Sequence, residues 1–482
     1  MPHFDTPNRR VLLRLALVGL TLIAHASVCS HDFINMDDPQ TISQNPRMKP
    51  PSVANIAYYW TNRGLELYVP CTYTVWSLTA GISASRHGSE YVLHAFGFHL
   101  VNLCCHLLSV LIVFEILQLL ALSPGCAAIG AALFAVHPLQ VESVAWATAL
   151  KDALSGLAAL MAIWQYLRAI PQQRSAGEET PVAIKPYALA TVAFAIATLS
   201  KPGAVAAVGI AGILDFYVSR AAPTRILVRL LPWLAISAAV SLIAHHVQPA
   251  GDVADNPLML RPLLALDAIS FYLWKLCWPV GLCPDYGRRP TMVIDEGYIA
   301  WTWAIPAAVA WVVWSFRRKY PLVSAATAVF LMGLLPALGL IPFIFQRNST
   351  VADRYVYLAM LGPALILGWC YCHFASVRIP TIILVGAMTV VSVRQEMFWT
   401  DSLRLFAHSV SVCPWAPFNH LNYGAALATS GDIQSAASQF RQTLALTPGN
   451  TAVRDSLDQA ERMLAARRSG APPPAAPAEG RP

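Results

Sequence analysis

Charged side chains are scarce in this sequence. They make up 12% of the 482 residues, whereas apolar residues make up 56% and the mean hydropathy is +0.51. Soluble proteins carry about 25% charged residues, so this composition excludes a soluble fold and indicates a protein with many membrane spans. The net charge of +7 does not indicate nucleic-acid binding, because the basic residues lie in short clusters between apolar runs.

Motifs that hold a cofactor or a metal are also missing. The sequence has no glycine-rich phosphate loop, no Gly-x-Ser-x-Gly turn and no zinc-ligand spacing, so no cofactor and no metal are expected. Most of the ten cysteines lie inside apolar segments, where they behave as small hydrophobic residues. Cys277 and Cys283 lie near a predicted outer loop and could pair, but on their spacing alone a disulfide is the lesser alternative.

Long apolar runs are abundant. A spanning helix needs about 20 mostly apolar residues, because the hydrocarbon core is about 30 Å thick. This rule predicts an all-α membrane helix bundle with about eleven spans. They run from Val11 to Cys29, His94 to Leu120, Pro124 to His137, Leu150 to Ile170, Pro186 to Leu199, Ala204 to Val218, Leu227 to Ala244, Ile299 to Phe316, Leu322 to Phe345, Tyr355 to Phe374 and Ile379 to Val393.

Basic residues at alternate span ends set the expected orientation. They are Arg9, Arg10, Arg168, Arg174, Lys185, Arg220, Arg225, Arg229, Arg317, Arg318, Lys319 and Arg378. The positive-inside rule places this face, and the N-terminus, in the cytoplasm, and it places the C-terminus on the outer face. The first span is expected to be a retained anchor and not a cleaved signal peptide, since Arg14 interrupts its apolar run and the cleavage pattern is weak.

Paired carboxylates follow the first span. Asp37 and Asp38 lie in a polar stretch that the predicted topology puts at the outer surface of the membrane. An ionised carboxylate there is able to accept a proton from an attacking hydroxyl. Turn formation is the structural alternative, because Asp and Pro39 both favour tight turns.

Further titratable residues collect in the outer turns. His137, Glu142, Lys151 and Asp152 lie at the mouth of two spans, and such groups usually face a polar cavity because burying charge in a bilayer is costly. The alternative is a self-neutralising pair between Lys151 and Asp152.

Three further cations are predicted on the same outer face, at Lys201, Lys275 and Arg354. Arg354 is the best candidate to hold a phosphate, since guanidinium donates two parallel hydrogen bonds. A local salt bridge with Asp353 is its structural alternative.

The C-terminal part is a separate polar module. After the membrane domain, residues 1–396, a spacing typical of a tetratricopeptide repeat appears between Asn422 and Pro448, within a helical module of residues 397–468. A single repeat cannot bury its hydrophobic face, so flanking helices are expected to cover it. Bracing of the membrane domain and docking of a protein are equally consistent with the pattern. Residues 469–482 are rich in Pro and Ala and are expected to be disordered.

Taken together, the motifs resemble those of bacterial relatives of the transmembrane and tetratricopeptide-repeat O-mannosyltransferases, in the C-type glycosyltransferase superfamily. The matching blocks are Phe98 to Leu103 with His106, Phe134 to Trp146, Lys151-Asp152, Lys201-Pro202, Leu214 to Tyr217, Ala352 to Leu358 and Phe398 to Leu403. Two features depart from the family pattern. Gln140 stands where a His is expected, and the repeat array is reduced to one unit.

The resemblance implies a glycosyltransferase that moves a sugar from a polyprenyl-phosphate carrier to a protein or glycan acceptor outside the cytoplasmic membrane. In that superfamily an acidic residue of the first outer loop is the usual base. The role falls here on Asp37 or Asp38, and Asp38 is preferred.

The remaining candidates then bind substrate. Arg354, helped by Lys201 or Lys275, offsets the charge on the departing lipid phosphate. Glu142 and Asp152 orient the acceptor or the sugar. A non-enzymatic membrane scaffold, whose repeat module recruits envelope proteins, is the alternative function and predicts a membrane domain without a lipid-facing cavity.

Overall fold

A computed structural model describes residues 7–62, 67–88, 90–120, 122–171, 181–247 and 257–469. The all-α class is confirmed, with the addition of one antiparallel hairpin that pairs Ala84 with Leu93. Residues 470–482, which hold nearly all of the predicted disordered tail, and Arg174 lie outside the described residues.

The helices and strands are numbered along the chain. They are α1 Pro7–His25, α2 Val53–Thr61, α3 Pro70–Ser83, β1 Ala84–His87, β2 Glu90–Leu93, α4 Ala95–Leu119, α5 Pro124–Val136, α6 Val141–Ala145, α7 Leu150–Ala169, α8 Ile184–Ser200, α9 Ala206–Ser219, α10 Pro223–Val247, α11 Arg261–Cys277, α12 Pro290–Asp295, α13 Ala304–Phe316, α14 Pro321–Leu334, α15 Leu361–His373, α16 Arg378–Glu396, α17 Ser402–Val412, α18 Pro417–Ser430, α19 Ile433–Leu446 and α20 Thr451–Ser469.

The chain is a multi-pass membrane protein. Within the described ranges, seven helical segments are long and apolar enough to cross a bilayer, or eight if the bent pair α5 and α6 counts as one span. The seven are Asn8–Ser30, Ala95–Leu119, Ala147–Ala169, Pro202–Ser219, Pro223–His246, Tyr298–Phe316 and Ala375–Thr400.

The other predicted spans correspond to shorter helices. The helix α8 has 17 residues, α14 has 14 and α15 has 13, all below the roughly 20 residues that a straight crossing needs. The predicted span from Leu322 to Phe345 is wrong at its end, because Pro336 stops α14 at Leu334 and irregular chain follows. The count of eleven therefore stays a prediction.

Pro138 interrupts a helix at the centre of the bundle. The helices α5 and α6 meet at 54° across it, so carbonyls at the end of α5 lose their helical partners. The Ala135 carbonyl oxygen lies 3.0 Å from Nε2 of both His25 and His106, and Ser392 donates a hydrogen bond to the Val136 carbonyl. The buried histidines therefore satisfy backbone groups.

The C-terminal helices pack on each other and on the membrane domain. The helices α18 and α19 form an antiparallel hairpin in which a Cβ on Gly424 would lie 2.7 Å from the Phe440 ring, so only glycine permits this approach. On the other side, Phe406 of α17 packs in one hydrophobic cluster with Trp146 and Trp399. The two-helix hairpin exists where the repeat is predicted, while its assignment as a tetratricopeptide repeat stays a prediction.

Candidate functional site

A buried ion pair joins the short helix α6 to the loop before α15. Glu142 accepts a hydrogen bond from Arg354 Nη1 at 2.5 Å and a second from the Arg354 backbone amide at 2.9 Å. The side chains are 2% and 8% exposed. Two donors on one carboxylate fix the position of the guanidinium carbon, which lies 4.3 Å from the Phe345 ring centre and 5.0 Å from that of Tyr355. The predicted alternative, a bond between Arg354 and Asp353, is not what forms.

Three further predicted residues lie beside this pair, at the start of α7 and the end of α8. Asp152 pairs with Lys201 and not with its neighbour Lys151, and Lys201 Nζ also lies 5.2 Å from the Tyr355 ring centre. The charges of Asp152 and Lys201 both act on Lys151, and that of Asp152 acts on Arg354. The structure therefore brings these four residues and Glu142 into one cluster.

Lys151 differs from the other cations of the cluster. Its ammonium donates to the Thr148 carbonyl at 3.3 Å and lies 4.5 Å from the Trp146 ring centre. Within the described part of the chain no carboxylate lies within ion-pair distance of it. Lys151 is thus a half-buried cation with capacity for an anionic ligand.

Asp38 is a structural anchor in this arrangement. Its side chain is fully buried and accepts hydrogen bonds from the backbone amides of Ile34 at 2.7 Å and Thr148 at 2.9 Å, and from the Thr148 hydroxyl at 2.5 Å. Burial raises the pKa of Asp38 to about 6, and the hydrogen bonds limit that rise. This carboxylate ties the loop after the first span to the start of α7.

Asp37 points elsewhere. It is half-buried, and among the described residues its carboxylate has no hydrogen-bond partner. Its charge acts on Lys151 and on Tyr73. The two neighbouring aspartates therefore differ: three hydrogen-bond donors hold the Asp38 carboxylate, whereas the Asp37 carboxylate is available to accept a hydrogen bond.

Two predicted residues lie outside the cluster. His137 is buried, its Nδ1 accepts from the Leu139 amide at 3.3 Å and its Nε2 lies 3.1 Å from the Leu276 carbonyl oxygen, which is the bonding of a helix cap. Lys275 is buried and donates to the carbonyls of Val280 at 2.6 Å and Gly281 at 3.1 Å. The geometry gives neither residue a free polar group directed at the cluster.

A second acidic group lies behind Arg354. Asp353 accepts a hydrogen bond from the Tyr286 hydroxyl at 2.7 Å, and burial raises the pKa of Asp353 well above its usual value. Burial also raises the pKa of Asp285 to about 6. These residues form the wall that supports the Arg354 loop.

An apolar groove begins one turn of α7 away from Lys151. It has a volume of about 330 Å³ and lies between α4, α7 and α8, where Leu108, Leu154, Met161 and Ile196 are among the apolar side chains that line it. Leu154 follows Lys151 by three residues on α7 and therefore shares its helix face.

Two site residues carried no signal in the sequence, since Thr148 lies between two family blocks and Phe345 looks like an ordinary interfacial aromatic residue. Trp146 and Tyr355 lie within family blocks but were not among the predicted site residues. Gln140, where a His was expected, is buried with neither amide atom hydrogen-bonded in the described chain. A pattern of burial and contacts, and not composition, identifies them.

Comparison with known proteins bears on the family. No protein-family model matches the chain. The chain is 24% identical over 464 residues to protein O-mannosyl-transferase F38B6.6 of Caenorhabditis elegans, covering 90% of this chain and 62% of that protein. It is 22% identical to the human protein O-mannosyl-transferase TMTC4, covering 89% of this chain and 65% of that protein. The chain thus spans less than two thirds of the length of these relatives.

Among solved structures, the chain is similar to ArnT from Cupriavidus metallidurans bound to undecaprenyl phosphate, with a TM-score of 0.39 and 12% identity over 96% of this chain and 80% of that one. The comparison with known proteins therefore depends on the relatives found by sequence. Over about 90% of its length the chain is similar in sequence to proteins named protein O-mannosyl-transferases, which confirms the resemblance that its motifs predict.

Proposed function

We propose that the chain is a membrane glycosyltransferase that moves a sugar from a polyprenyl-phosphate carrier to an acceptor on the outer face of the cytoplasmic membrane. The names of the relatives, protein O-mannosyl-transferases, make mannose the first sugar to test and a protein or glycan hydroxyl the first acceptor. The proposal needs neither a metal nor a cofactor, because a carboxylate and fixed cations supply the chemistry.

One observation carries the proposal. The charge of an available carboxylate, Asp37, acts on an ammonium without a carboxylate partner, Lys151, and an apolar groove begins one turn of α7 away from that lysine. A groove of this kind accommodates a polyprenyl chain, and the cation at its end suits the phosphate to which such a chain is attached. If these charges served only to stabilise the fold, there would be no reason for an unpaired cation to lie next to an apolar groove.

The two aspartates receive different roles. A base must reach the hydroxyl it deprotonates, and Asp38 is enclosed by three donors. We therefore assign the base to Asp37, in place of the sequence preference for Asp38, and make Asp38 the residue that positions the loop. Asp37 has the acceptor capacity that the role requires.

The reaction follows from these positions. Asp37 takes the proton of the acceptor hydroxyl while the oxygen of that hydroxyl attacks the anomeric carbon of the sugar. The bond from the anomeric carbon to the phosphate oxygen of the carrier breaks at the same time. Lys151 lies where it neutralises the phosphate that departs, with Arg354 and Lys201 adding positive charge. Glu142 holds Arg354 in place, and a single displacement of this kind inverts the anomeric configuration.

The finer topology belongs to the same proposal. With the short helices α8, α14 and α15 as crossings, the bundle has eleven spans, a cytoplasmic N-terminus and the C-terminal helices outside. The contact of Phe406 with Trp146 and Trp399 supports a bracing role for these helices. We propose that the hairpin of α18 and α19 is a single tetratricopeptide repeat that continues this brace.

The test uses the purified full chain in proteoliposomes with polyprenyl-phosphate mannose and a hydroxyl acceptor library. Release of polyprenyl phosphate and transfer of labelled sugar are measured together. Asp37→Asn should lower the turnover by about 10²- to 10⁴-fold, as expected for loss of a general base. Lys151→Gln should raise the KM for the donor more than it lowers kcat.

Asp32→Asn is the matched control, because Asp32 is exposed in the same loop and should leave the turnover unchanged. Full activity of Asp37→Asn would remove the base assignment. Failure of the unmodified chain to consume any polyprenyl-phosphate sugar, under conditions in which it remains folded, would reject the function itself.

A further inference from the structure

The C-terminal helices hold a loop of the membrane domain through its backbone. The carbonyl of Leu282 lies 3.1 Å from both Gln395 Nε2 and His408 Nε2, and Asn419 donates to the Asp285 carbonyl at 2.9 Å. Trp415 donates to the Tyr286 carbonyl at 2.9 Å. Loop 282–287 is thereby fixed against α17 and α18, with Gln395 of α16 adding one of the four bonds.

Two cysteines meet inside this contact. Cys283 of the loop and Cys413, directly after α17, place their sulfur atoms 3.3 Å apart although 130 positions separate them in sequence. Both are buried, at 1% and 2% exposure. Cys277, the partner that sequence spacing offered, is exposed and has no such neighbour in the described chain.

We propose that Cys283 and Cys413 form a disulfide that joins the C-terminal helices covalently to the membrane domain. The four surrounding backbone hydrogen bonds hold the two residues side by side, so the bond requires little movement beyond rotation of the side chains. The inference does not depend on the proposed sugar transfer. It depends on the predicted orientation, which puts this end of the bundle in a compartment where disulfides persist.

The reaction balances with an ordinary thiol–disulfide exchange. One thiolate attacks an oxidant of the disulfide class, and the second thiolate then displaces it. The chain loses two protons and two electrons, and the oxidant is reduced to two thiols. Because the sulfur atoms are buried in the folded protein, exchange occurs before the loop closes.

A second cysteine pair provides an internal control. Cys126, at the start of α5, and Cys372, near the end of α15, both lie beside the Ser123 hydroxyl, with their sulfur atoms 3.1 Å and 3.9 Å from its oxygen. These helix ends lie at the opposite face of the bundle, next to Arg378, which the predicted orientation places in the reducing cytoplasm. Cys126 and Cys372 are therefore expected to stay reduced, although they are also neighbours.

The test measures the oxidation state of each cysteine in native membranes. Free thiols are trapped by N-ethylmaleimide in denaturant, disulfides are then reduced, and the released thiols are labelled with a heavy maleimide. Mass spectrometry should find the heavy label on Cys283 and Cys413 and the light label on Cys126 and Cys372. An unreduced digest should contain the cross-linked peptide, and Cys413→Ser should transfer Cys283 to the light label.

The light label on both Cys283 and Cys413 in the unmodified chain would overturn the proposal. The compartment is checked separately with Cys277, whose exposed thiol should react with a membrane-impermeant maleimide in intact cells. Reaction of Cys277 only after permeabilisation would remove the orientation and with it the disulfide. Neither result bears on the turnover of a sugar donor.

Discussion

Replacement of Glu142 by Gln should destabilise the protein by about 3 kcal/mol or more. The change keeps the shape of the side chain but leaves the Arg354 guanidinium buried without its counter-charge, since the pair is 2% and 8% exposed. Breaking one partner of a buried ion pair costs about 3–5 kcal/mol, and a hydrogen bond to a charged group contributes about 1.5–3 kcal/mol of that. The retained amide oxygen still accepts from the Arg354 backbone amide, so we expect the lower end of this range.

The measurement is the free energy of unfolding in mixed micelles by titration with denaturing detergent, followed by tryptophan fluorescence. Glu461→Gln is the matched control. Glu461 pairs with Arg441 at 2.8 Å with both side chains about half exposed, so its loss should cost less than about 1 kcal/mol. Equal effects of the two substitutions would refute the conclusion that Glu142 holds Arg354.

Two further predictions concern the loops at residues 31–45 and 282–287. Because the pKa of Asp38 is about 6 in the folded chain and 3.8 in an unstructured peptide, the folded chain binds the proton first, and its stability should rise, by up to about 3 kcal/mol, as the pH falls from above 6 to about 4. Amide hydrogen exchange of residues 31–45 at pH 7 and pH 5 checks this prediction. The pH dependence of the exchange should be smaller in Asp38→Asn. Exchange that becomes faster at pH 5, after correction for the intrinsic rate, would contradict the prediction. Gly287→Ala should lower the midpoint temperature of thermal unfolding, because Gly287 has φ +61° and an added Cβ would lie 2.8 Å from Ala416 Cβ. Gly449 has open space around it, so Gly449→Ala is the control and should leave this temperature unchanged. Equal midpoints for the two glycine variants would show that the loop is free to move away from α18.

Local chemistry explains why the sequence predicts pairs that do not form. In the sequence, Lys151 lies next to Asp152 and Asp353 next to Arg354, so each pair of opposite charges is a predicted ion pair. Adjacent residues on a helix project about 100° apart and do not face each other, so Asp152 reaches Lys201 instead. Arg354 likewise pairs with Glu142, 212 positions away. Proximity in sequence was a poor guide to partnership in these cases.

The amino-acid sequence by itself determined that the protein is an all-α membrane bundle, because hydropathy acts on each segment separately and long apolar helices are the answer wherever the bilayer is the solvent. Its motifs also determined the family resemblance. Only the tertiary structure decided that Asp38 is enclosed while Asp37 is available, since the donors that enclose Asp38 include Thr148, 110 positions away. The contact between Cys283 and Cys413 was decided in the same way, because burial and contact depend on how distant segments pack and not on the order of neighbouring residues.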